Sequence, residues 1–252
     1  MNIHQVPRVV CAAFAFLLLP LASLAQSAGP RTPEAVAVVR SILDQSEDKI
    51  DLTQAKLTFD RMVYPTPPTA TTTAHIDSMA GIIRAMLPAN ATNADKVAAL
   101  RKYIYTAGAW NGNKPFHYNF DDPDGESLEG SIVARYIETK KGQCISMPLL
   151  FIFLAERLKL PVAIAKAPNH TFVMVQGENG SWTNLETTSD GGPASLATIQ
   201  RQAPMTQTAI DNGVYMRPLG KRETVAAMAE VLLHSYRDKK QPEAVIALSE
   251  LL

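Results

Sequence analysis

One segment of the chain is apolar on almost every side, and it must lie inside whatever the chain folds into. From Ile145 to Leu158 most side chains are Met, Leu, Ile or Phe, and Lys159-Leu160-Pro161 follows as a stop signal. A surface helix carries one apolar stripe, whereas a helix that is apolar all round is buried. The segment is shorter than the roughly 20 residues that span a bilayer. We therefore predict a central helix that other elements cover on most sides.

Strand-like segments follow this helix. Val162 to Ala167 and Thr171 to Gln176 alternate or carry β-branched side chains, as strands do. Gly177-Glu178-Asn179-Gly180 is a strong turn signal, and Ser181 to Thr187 is predicted to be the returning strand of a hairpin. The sequence therefore predicts an antiparallel sheet beside the buried helix.

Helices are predicted on both sides of this region. Their ranges are Pro30 to Asp48, Leu52 to Val63, Ile76 to Leu87, Asp95 to Tyr105 with a Thr92 or Asn93 cap, Lys221 to Tyr236, and Gln241 to Leu252. Pro65 to Thr73 is predicted to be a stiff polar linker, and Ala109 to Glu129 to be irregular. The last two helices are similar to a single tetratricopeptide unit. Such a unit cannot bury its own apolar face, so we expect it to pack on the domain or on a partner.

The first residues predict export. Arg8 precedes the uncharged apolar stretch Val9 to Leu21, and Ser23-Leu24-Ala25 places small residues where a signal peptidase cleaves. Because the stretch is shorter than a membrane span, a cleaved signal peptide is favoured over an uncleaved anchor. The sequence predicts a periplasmic or secreted protein that begins at Gln26 and keeps no stable membrane span after cleavage.

The charge balance argues against one class of partner. The 24 basic and 24 acidic side chains give a formal net charge of zero, without a long basic run. Nucleic-acid binding requires a basic surface, so nucleic acid is not expected as a partner.

Export would leave Cys144 as the single cysteine of the mature chain, because Cys11 lies in the signal. Such a cysteine is a reactive thiol, half of an intermolecular bridge, or a buried inert residue. Its neighbours favour the reactive thiol. Pro148 is tolerated only in the first turn of a helix, so the thiol is expected among unpaired N–H groups that favour the thiolate. Gly142 is expected to let the backbone turn sharply into the helix.

His170 is the candidate base. It follows Ala167-Pro168-Asn169 at the start of a predicted strand, and one helix, one turn and one strand separate it from Cys144. The lengths of these elements allow the chain to return to the same end of the helix. A thiolate needs a partner that holds it and later protonates the leaving group, which histidine does at neutral pH. The alternative is a strand-end histidine with a structural hydrogen bond.

A third residue is needed to orient the imidazole. Glu186 and Asn184 share one face of the returning strand. If position 170 lies opposite position 188, Glu186 is near diagonal reach of His170, whereas a shift by one residue turns both side chains away. Glu186 is the first candidate, Asn184 the substitute, and Asp190 a weaker option.

These residues together resemble the transglutaminase-like superfamily. The resemblance covers about Ala109 to Gly192 and rests on KKGQCISMP at Lys140 to Pro148, the helix ending LAERL, a strand led by Pro161, and His170. In that family the nucleophilic cysteine follows a Gly-x dipeptide, a histidine follows the buried helix, and an acidic residue lies on the next strand. The family more often has Asp where this chain has Glu186. A tetratricopeptide-like tail behind such a domain is similar to one bacterial branch of the family.

The resemblance implies an α+β fold with a papain- and transglutaminase-like core. In that core a cysteine-bearing buried helix packs on an antiparallel sheet, with helices flanking it at both ends of the chain. The implied organisation is a signal peptide over residues 1–25, an N-terminal helical region over 30–105, the catalytic core over 106–195 and a C-terminal helical tail over 196–252.

The resemblance also implies acyl transfer from an amide or ester through a thioester, without a cofactor. The catalytic set would be Cys144, His170 and Glu186. The N–H of Cys144 is one expected donor to the tetrahedral intermediate, and Gln143, Tyr118 or Asn119 is the candidate for another.

A metal site is not predicted. The acidic stretch from Asp121 to Gly125 suggests calcium, but aligning Gly125 with the invariant glycine of an EF-hand puts Phe120 and Ser131 at the first and twelfth positions. Neither side chain suits its position. We expect instead a turn near the rim of the active site.

Three functions are compatible with the sequence. The favoured one is an exported cysteine enzyme acting on a peptide or protein, with hydrolysis slightly ahead of transfer or crosslinking. The second is a catalytically silent module that binds a peptide or an envelope protein, in part through the C-terminal helices. The third is a folded domain whose cysteine is buried and inert.

Overall fold

The computed structural model describes residues 32–252. The predicted signal peptide and its cleavage site lie outside these residues. The described helices are α1 (Thr32–Leu43), α2 (Leu52–Val63), α3 (Thr69–Ala85), α4 (Asn93–Tyr105), α5 (Val133–Thr139), α6 (Ser146–Arg157), α7 (Leu196–Gln202), α8 (Gln207–Asp211), α9 (Lys221–Asp238) and α10 (Pro242–Ser249). The strands are β1 (His117–Tyr118), β2 (Lys141–Gly142), β3 (Val162–Ala167), β4 (His170–Gln176), β5 (Trp182–Glu186) and β6 (Gly192–Pro193).

Helix α6 lies in the centre of the hydrophobic core. All of its residues from Ser146 to Ala155 are buried. It contacts helices α3, α4 and α5 as well as strands β3 and β4. A helix covered on most sides was expected from its apolar sequence, and the structure confirms that expectation.

Strands β3, β4, β5 and β6 form one antiparallel sheet in chain order. β3 and β4 pair along the whole of β3, from Val162 opposite Val175 to Ala167 opposite His170. Strands β1 and β2 form a separate parallel pair that leads the chain into α6. The mixture of helices and sheet predicted from the sequence is therefore confirmed.

The helices from the two ends of the chain pack on each other. α2 lies against α9, and α1 contacts both α9 and α10. Val39 of α1 and Leu248 of α10 belong to the same core cluster as α6. One continuous core thus joins these segments, while the domain boundaries given above stay a prediction.

A buried ion pair within α2 is hydrogen-bonded to the start of α5. Lys56 Nζ lies 2.7 Å from Asp60 Oδ1, and neither side chain is exposed to solvent. The other oxygen of Asp60 accepts a hydrogen bond from Val133 N at 2.9 Å, at the start of α5. Burial raises the pKa of Asp60, and the attraction of Lys56 opposes that rise.

The linker predicted over residues 65–73 is wrong in its second half, because α3 already begins at Thr69. Threonine has a low helix propensity, which a run of threonines makes worse. Packing against α2 outweighs that propensity: Thr72 is buried, and Thr73 Oγ1 accepts a hydrogen bond from Gln54 Nε2 at 3.0 Å. The short helix α5 lies just after the segment predicted to be irregular and was not anticipated.

The Thr92 cap predicted for α4 is confirmed. Thr92 Oγ1 accepts a hydrogen bond from Asp95 N, and the carboxylate of Asp95 accepts one from Thr92 N.

Between residues 32 and 252, no helix combines the length and the hydrophobicity needed to cross a membrane.

Candidate active site

Cys144 lies in a turn between β2 and α6 and is partly exposed. Helix α6 begins at Ser146, so the thiol precedes the first turn of the helix. Buried hydrogen bonds hold this segment in place, because Ser146 Oγ accepts from Gln143 N at 2.9 Å and donates to Gly130 O at 2.7 Å. The position of the thiol is thus fixed by its own neighbours.

Gly142 is required for space and not for an unusual backbone conformation. A Cβ at this position would lie 2.6 Å from the Tyr136 ring and 2.7 Å from Met147 Cγ. Gly142 is not among the described glycines with a positive φ. The sharp turn expected from glycine's conformational freedom is therefore wrong, and the close approach of two side chains explains the residue instead.

His170 is the first residue of β4. Ala167 lies opposite His170 across the ladder, so Pro168 and Asn169 alone form the connection between β3 and β4. Asn169 has a φ of 54°, the left-handed conformation that asparagine adopts more readily than most residues. This tight turn presents the imidazole at the end of the sheet.

His170 and Glu186 form a short, partly buried hydrogen bond. His170 Nε2 lies 2.6 Å from Glu186 Oε2, and their side chains are only 16% and 6% exposed. The strand register explains the contact. Val173 lies opposite Leu185, and continuing that ladder puts position 170 opposite position 188, which is the register that brings Glu186 within diagonal reach.

Thr188 binds the second carboxylate oxygen of Glu186. Glu186 Oε1 accepts hydrogen bonds from Thr188 N at 3.0 Å and from Thr188 Oγ1 at 2.6 Å. Each oxygen of Glu186 is thus engaged, one by the imidazole and one by the residue that lies opposite His170. Sequence reasoning did not assign a role to Thr188, although a threonine two residues after a strand-end carboxylate is a known hydrogen-bonding pattern.

Cys144 and His170 line the same cleft, and Cys144 is close enough to act on the charge of the imidazole. Since Glu186 occupies Nε2, Nδ1 is the imidazole nitrogen that remains available to the thiol. Burial alone lowers the pKa of His170, but the hydrogen bonds and charges of Cys144 and Glu186 outweigh burial and raise that pKa to about 9.

The pKa of Glu186 moves in the opposite direction. Burial raises it, but the hydrogen bonds from His170 and Thr188 prevail, and the pKa is lowered overall. Both shifts favour a charged pair of His170 and Glu186 at neutral pH.

Cys144 and His170 open onto a cleft with a volume of about 990 Å³. The loop from Phe120 to Gly125 lines one rim, and Ala203 and Pro204 line it as well. The expectation that the acidic turn lies near the rim of the active site is confirmed.

The weaker candidates for an oxyanion donor are placed less favourably. Tyr118 lines the cleft, but its hydroxyl donates to Pro123 O at 2.7 Å. Gln143 also lines the cleft, and its Nε2 donates to Asp122 O. Asn119 is not among the described residues that line the cleft. Each side-chain donor of Tyr118 and Gln143 thus has a contact that holds the acidic loop.

The alternative third residues point elsewhere. The amide of Asn184 lies 3.4 Å from Ala194 O, to which it donates. Asp190 has a φ of 58°, and its carbonyl accepts a hydrogen bond from Arg101 Nε at 3.0 Å. Of the three candidates, the structure brings only Glu186 into hydrogen-bonding contact with His170.

Two of the carboxylates in the acidic turn have partners within the protein. Asp122 accepts hydrogen bonds from Glu126 N at 2.9 Å and from Ser127 N at 3.0 Å, and Asp121 pairs with Lys141. Within the described part of the chain, no group of three or more His, Cys, Asp or Glu side chains is arranged to hold a metal ion.

Comparison with known proteins places this geometry in a family. The family model described as "Transglutaminase-like superfamily" matches residues 70–234, which is more than half of the 252 residues. The chain belongs to the transglutaminase-like superfamily. The match includes Cys144, His170 and Glu186, and it runs from the start of α3 into α9. A search of curated protein sequences finds no match to the chain.

As a member of the transglutaminase-like superfamily, the chain has the fold of a cysteine-type enzyme family. The family match extends beyond Ala109 to Gly192, the region on which the sequence resemblance rests. It takes in helices α3 and α4, which pack on α6 or on each other. The matched residues therefore include helices that the sequence assigned to a separate N-terminal region, and the domain boundaries stay a prediction.

Proposed function

We propose that this protein is a cysteine enzyme that cleaves or transfers the acyl group of a peptide or protein through a thioester. One observation supports this proposal above all others: Cys144 and His170 line one cleft, and His170 is hydrogen-bonded to the carboxylate of Glu186. In this arrangement α6 follows the cysteine and the sheet carries the histidine, which is why we regard the core as papain-like.

The chemistry follows from the protonation states. The Cys144 sulfur, as thiolate, attacks the carbonyl carbon of an amide or ester, and the electrons of the C=O bond move to oxygen. His170 Nδ1 gives its proton to the leaving amine or alcohol when the tetrahedral intermediate collapses. Glu186 remains a carboxylate, which keeps the imidazolium in place throughout. The product of this half-reaction is a thioester on Cys144.

The second half-reaction restores the enzyme. The neutral imidazole of His170 takes a proton from water or from an amine, which then attacks the thioester carbonyl. Collapse of the second intermediate breaks the bond between the acyl carbon and the sulfur, which releases the acid or the new amide and regenerates the Cys144 thiolate. We propose hydrolysis as the main outcome, because water is abundant in the compartment to which the chain is proposed to be exported.

Substituting the nucleophile tests this proposal. We expect Cys144→Ala to abolish turnover of fluorogenic peptide amides and thioesters while circular dichroism and thermal unfolding stay close to wild type. Cys144→Ser, which keeps a hydroxyl of similar size, is the matched control for packing and should lose nearly all activity as well. Turnover that is the same in the wild type and in Cys144→Ala would contradict the proposal and leave a binding module as the explanation of the cleft.

Export and partner binding are part of the same proposal. We propose that residues 1–25 direct the chain out of the cytoplasm, so that the enzyme acts on envelope or secreted proteins. The pair α9 and α10, which resembles a tetratricopeptide unit, is proposed to take part in binding a protein partner. Fractionation of cells that express the full chain, with mass spectrometry of the N-terminus of the product, tests the first claim.

A further inference from the structure

The loop over residues 120–126 forms one rim of the cleft, and it is held rigidly. The Tyr118 hydroxyl binds Pro123 O, and the Asp122 carboxylate binds two amides of its own turn. The side chain of Gln143, the residue before the nucleophile, binds Asp122 O. The rim is therefore anchored to the segment that carries Cys144.

This rim presents one aromatic ring and one carboxylate without a partner. The Phe120 side chain is 77% exposed, which is unusual for a residue of its size, and its ring packs edge-on against Tyr118 at 5.4 Å. Asp124 is exposed and also lines the cleft. Within residues 32–252 it forms no hydrogen bond or ion pair that satisfies the usual distance criteria.

Among the described residues that line the cleft, His170 is the only basic side chain, and none is Lys or Arg. Of the basic residues close in sequence to the lining, Lys141 pairs with Asp121, and Arg201 donates to Thr198 Oγ1 at 3.2 Å. Burial, and then the electrostatic effects of Cys144, Asp122, Asp124 and Glu186, raise the pKa of Tyr118.

A ligand that satisfies this rim needs an apolar stem and a positive end. The guanidinium of arginine stacks on aromatic faces and pairs with carboxylates, and the ammonium of lysine is attracted to both groups more weakly. A carboxylate-bearing side chain would meet Asp124 at close range and be repelled. The rim is therefore expected to select ligands by the charge of their side chains.

We propose that Phe120 and Asp124 bind the cationic side chain, arginine or lysine, of a peptide whose acyl group lies at Cys144. The inference rests on the proposed function, because it takes the peptide as the occupant of the cleft. It adds the substrate class, which the catalytic residues do not determine. A site that binds arginine differs from a site for an amine acceptor, because a guanidinium does not attack a thioester.

Binding measurements test the inference without requiring turnover. Fluorescein-labelled pentapeptides that differ only in a central arginine, citrulline or glutamate are titrated against the Cys144→Ala protein. We expect the arginine peptide to bind about 3- to 30-fold more tightly than its neutral isostere citrulline, from one exposed ion pair and one cation–π contact. The glutamate peptide should bind most weakly, and added salt should reduce the differences.

Variants at the rim identify the source of the preference. Adding Asp124→Asn to Cys144→Ala should remove the arginine preference, and adding Phe120→Ala should weaken it. Asp44→Asn, which removes an exposed carboxylate outside the cleft, is the matched control and should keep the preference. Equal binding of arginine and citrulline, a preference that survives Asp124→Asn, or no measurable binding of the arginine peptide would overturn the inference.

The two proposals fail in different ways. Peptide turnover that depends on Cys144 but is indifferent to the charge of the peptide would refute the rim assignment and leave the enzyme in place. An arginine preference that Asp124→Asn removes, in a protein without Cys144-dependent turnover, would refute the enzyme and leave the cationic-peptide site.

Discussion

His170 Nε2 lies 2.6 Å from Glu186 Oε2, so the imidazole is held by a carboxylate on the adjacent strand. This contact determines both the orientation and the charge of the histidine. Desolvation lowers the pKa of His170 and so favours the neutral ring. The partners Cys144 and Glu186 outweigh that effect and raise the pKa overall. The site is therefore organised around an imidazolium at neutral pH.

Replacing the carboxylate by its neutral isostere isolates its effect. Glu186→Gln should move the pKa of His170 from about 9 toward the ordinary value of 6.5, because a hydrogen bond to an anion is lost while shape is conserved. NMR titration of the His170 ring protons measures the pKa directly. An unchanged pKa in the variant would show that Glu186 does not set the charge of the imidazole.

The same variant has a defined pH signature in stability. The pKa of Glu186 is lowered on folding, so its contribution to stability is present above the unfolded value, 4.5, and is lost as pH falls through the folded value. The difference in free energy of unfolding between wild type and Glu186→Gln should therefore be largest near neutral pH and shrink on acidification. Urea titrations at several pH values between neutral and acidic conditions provide that comparison.

Thr188 is predicted to be a positioning residue that acts through Glu186. Thr188→Val removes the hydroxyl that lies 2.6 Å from Glu186 Oε1 but keeps the backbone hydrogen bond and the side-chain shape. We expect kcat/KM to fall about 3- to 10-fold, in line with the loss of one hydrogen bond. The pKa of His170 should shift as well, which a merely structural role would not cause.

The conservative variant makes the interpretation of Thr188 specific. Thr188→Ser keeps the hydroxyl and should keep both the activity and the His170 pKa close to wild type. If Thr188→Ser lowers the activity while Thr188→Val does not, the methyl group matters and the hydrogen bond to Glu186 does not.

The sequence determined more of the site than of its surroundings. A thiol before an apolar helix, a histidine after a Pro-Asn turn and a glutamate on the next strand all followed from local patterns. The register of β4 and β5 did not, since a shift by one residue would have turned Glu186 away from His170. Only the observed pairing of Val173 with Leu185 decides between these alternatives.

Other features were missed because they depend on contacts distant in sequence. The helix starting at Thr69 is stabilised by packing against α2, which the low helix propensity of threonine does not reveal. The role of Gly142 was misjudged for a similar reason: the crowding by Tyr136 and Met147 exists only once α5 and α6 are in place. Local sequence predicts turns and caps well, whereas space in the core is a property of the assembled fold.

Adding a methyl group at Gly142 should disrupt the segment that carries the thiol. Gly142→Ala should lower the free energy of unfolding by about 1–3 kcal/mol, because the new Cβ overlaps the Tyr136 ring and Met147. Gly81→Ala, within helix α3, is the matched control, since nothing lies within 4 Å of its added Cβ. That control should raise stability by about 0.4–1 kcal/mol. Chemical denaturation measures both changes, and equal changes in the free energy of unfolding of the two variants would contradict the prediction.

The buried pair of Lys56 and Asp60 should be costly to break from one side. Lys56→Met leaves a buried carboxylate without its cation, and we expect a loss of about 3–5 kcal/mol in the free energy of unfolding at neutral pH. In the variant, Asp60 remains protonated to higher pH. The loss in free energy of unfolding should therefore be smaller at acidic pH, because the carboxyl is then neutral in both the folded and the unfolded chain.

A double variant serves as the control for that pair. Combining Lys56→Met with Asp60→Asn removes both charges and keeps an acceptor for Val133 N, so part of the lost stability should return. Urea unfolding of the two single variants and the double variant forms a complete cycle. Simple additivity of the single effects would show that the two side chains do not interact.

The central claim is that Cys144 and His170 act as a catalytic pair, and the dependence of Cys144 alkylation on His170 tests this most directly. Iodoacetamide labelling of the Cys144 peptide is followed by mass spectrometry in the wild type and in His170→Gln. We predict rapid labelling of the wild type at pH 6 and loss of that reactivity in the variant. Identical labelling profiles of the two proteins would contradict the claim.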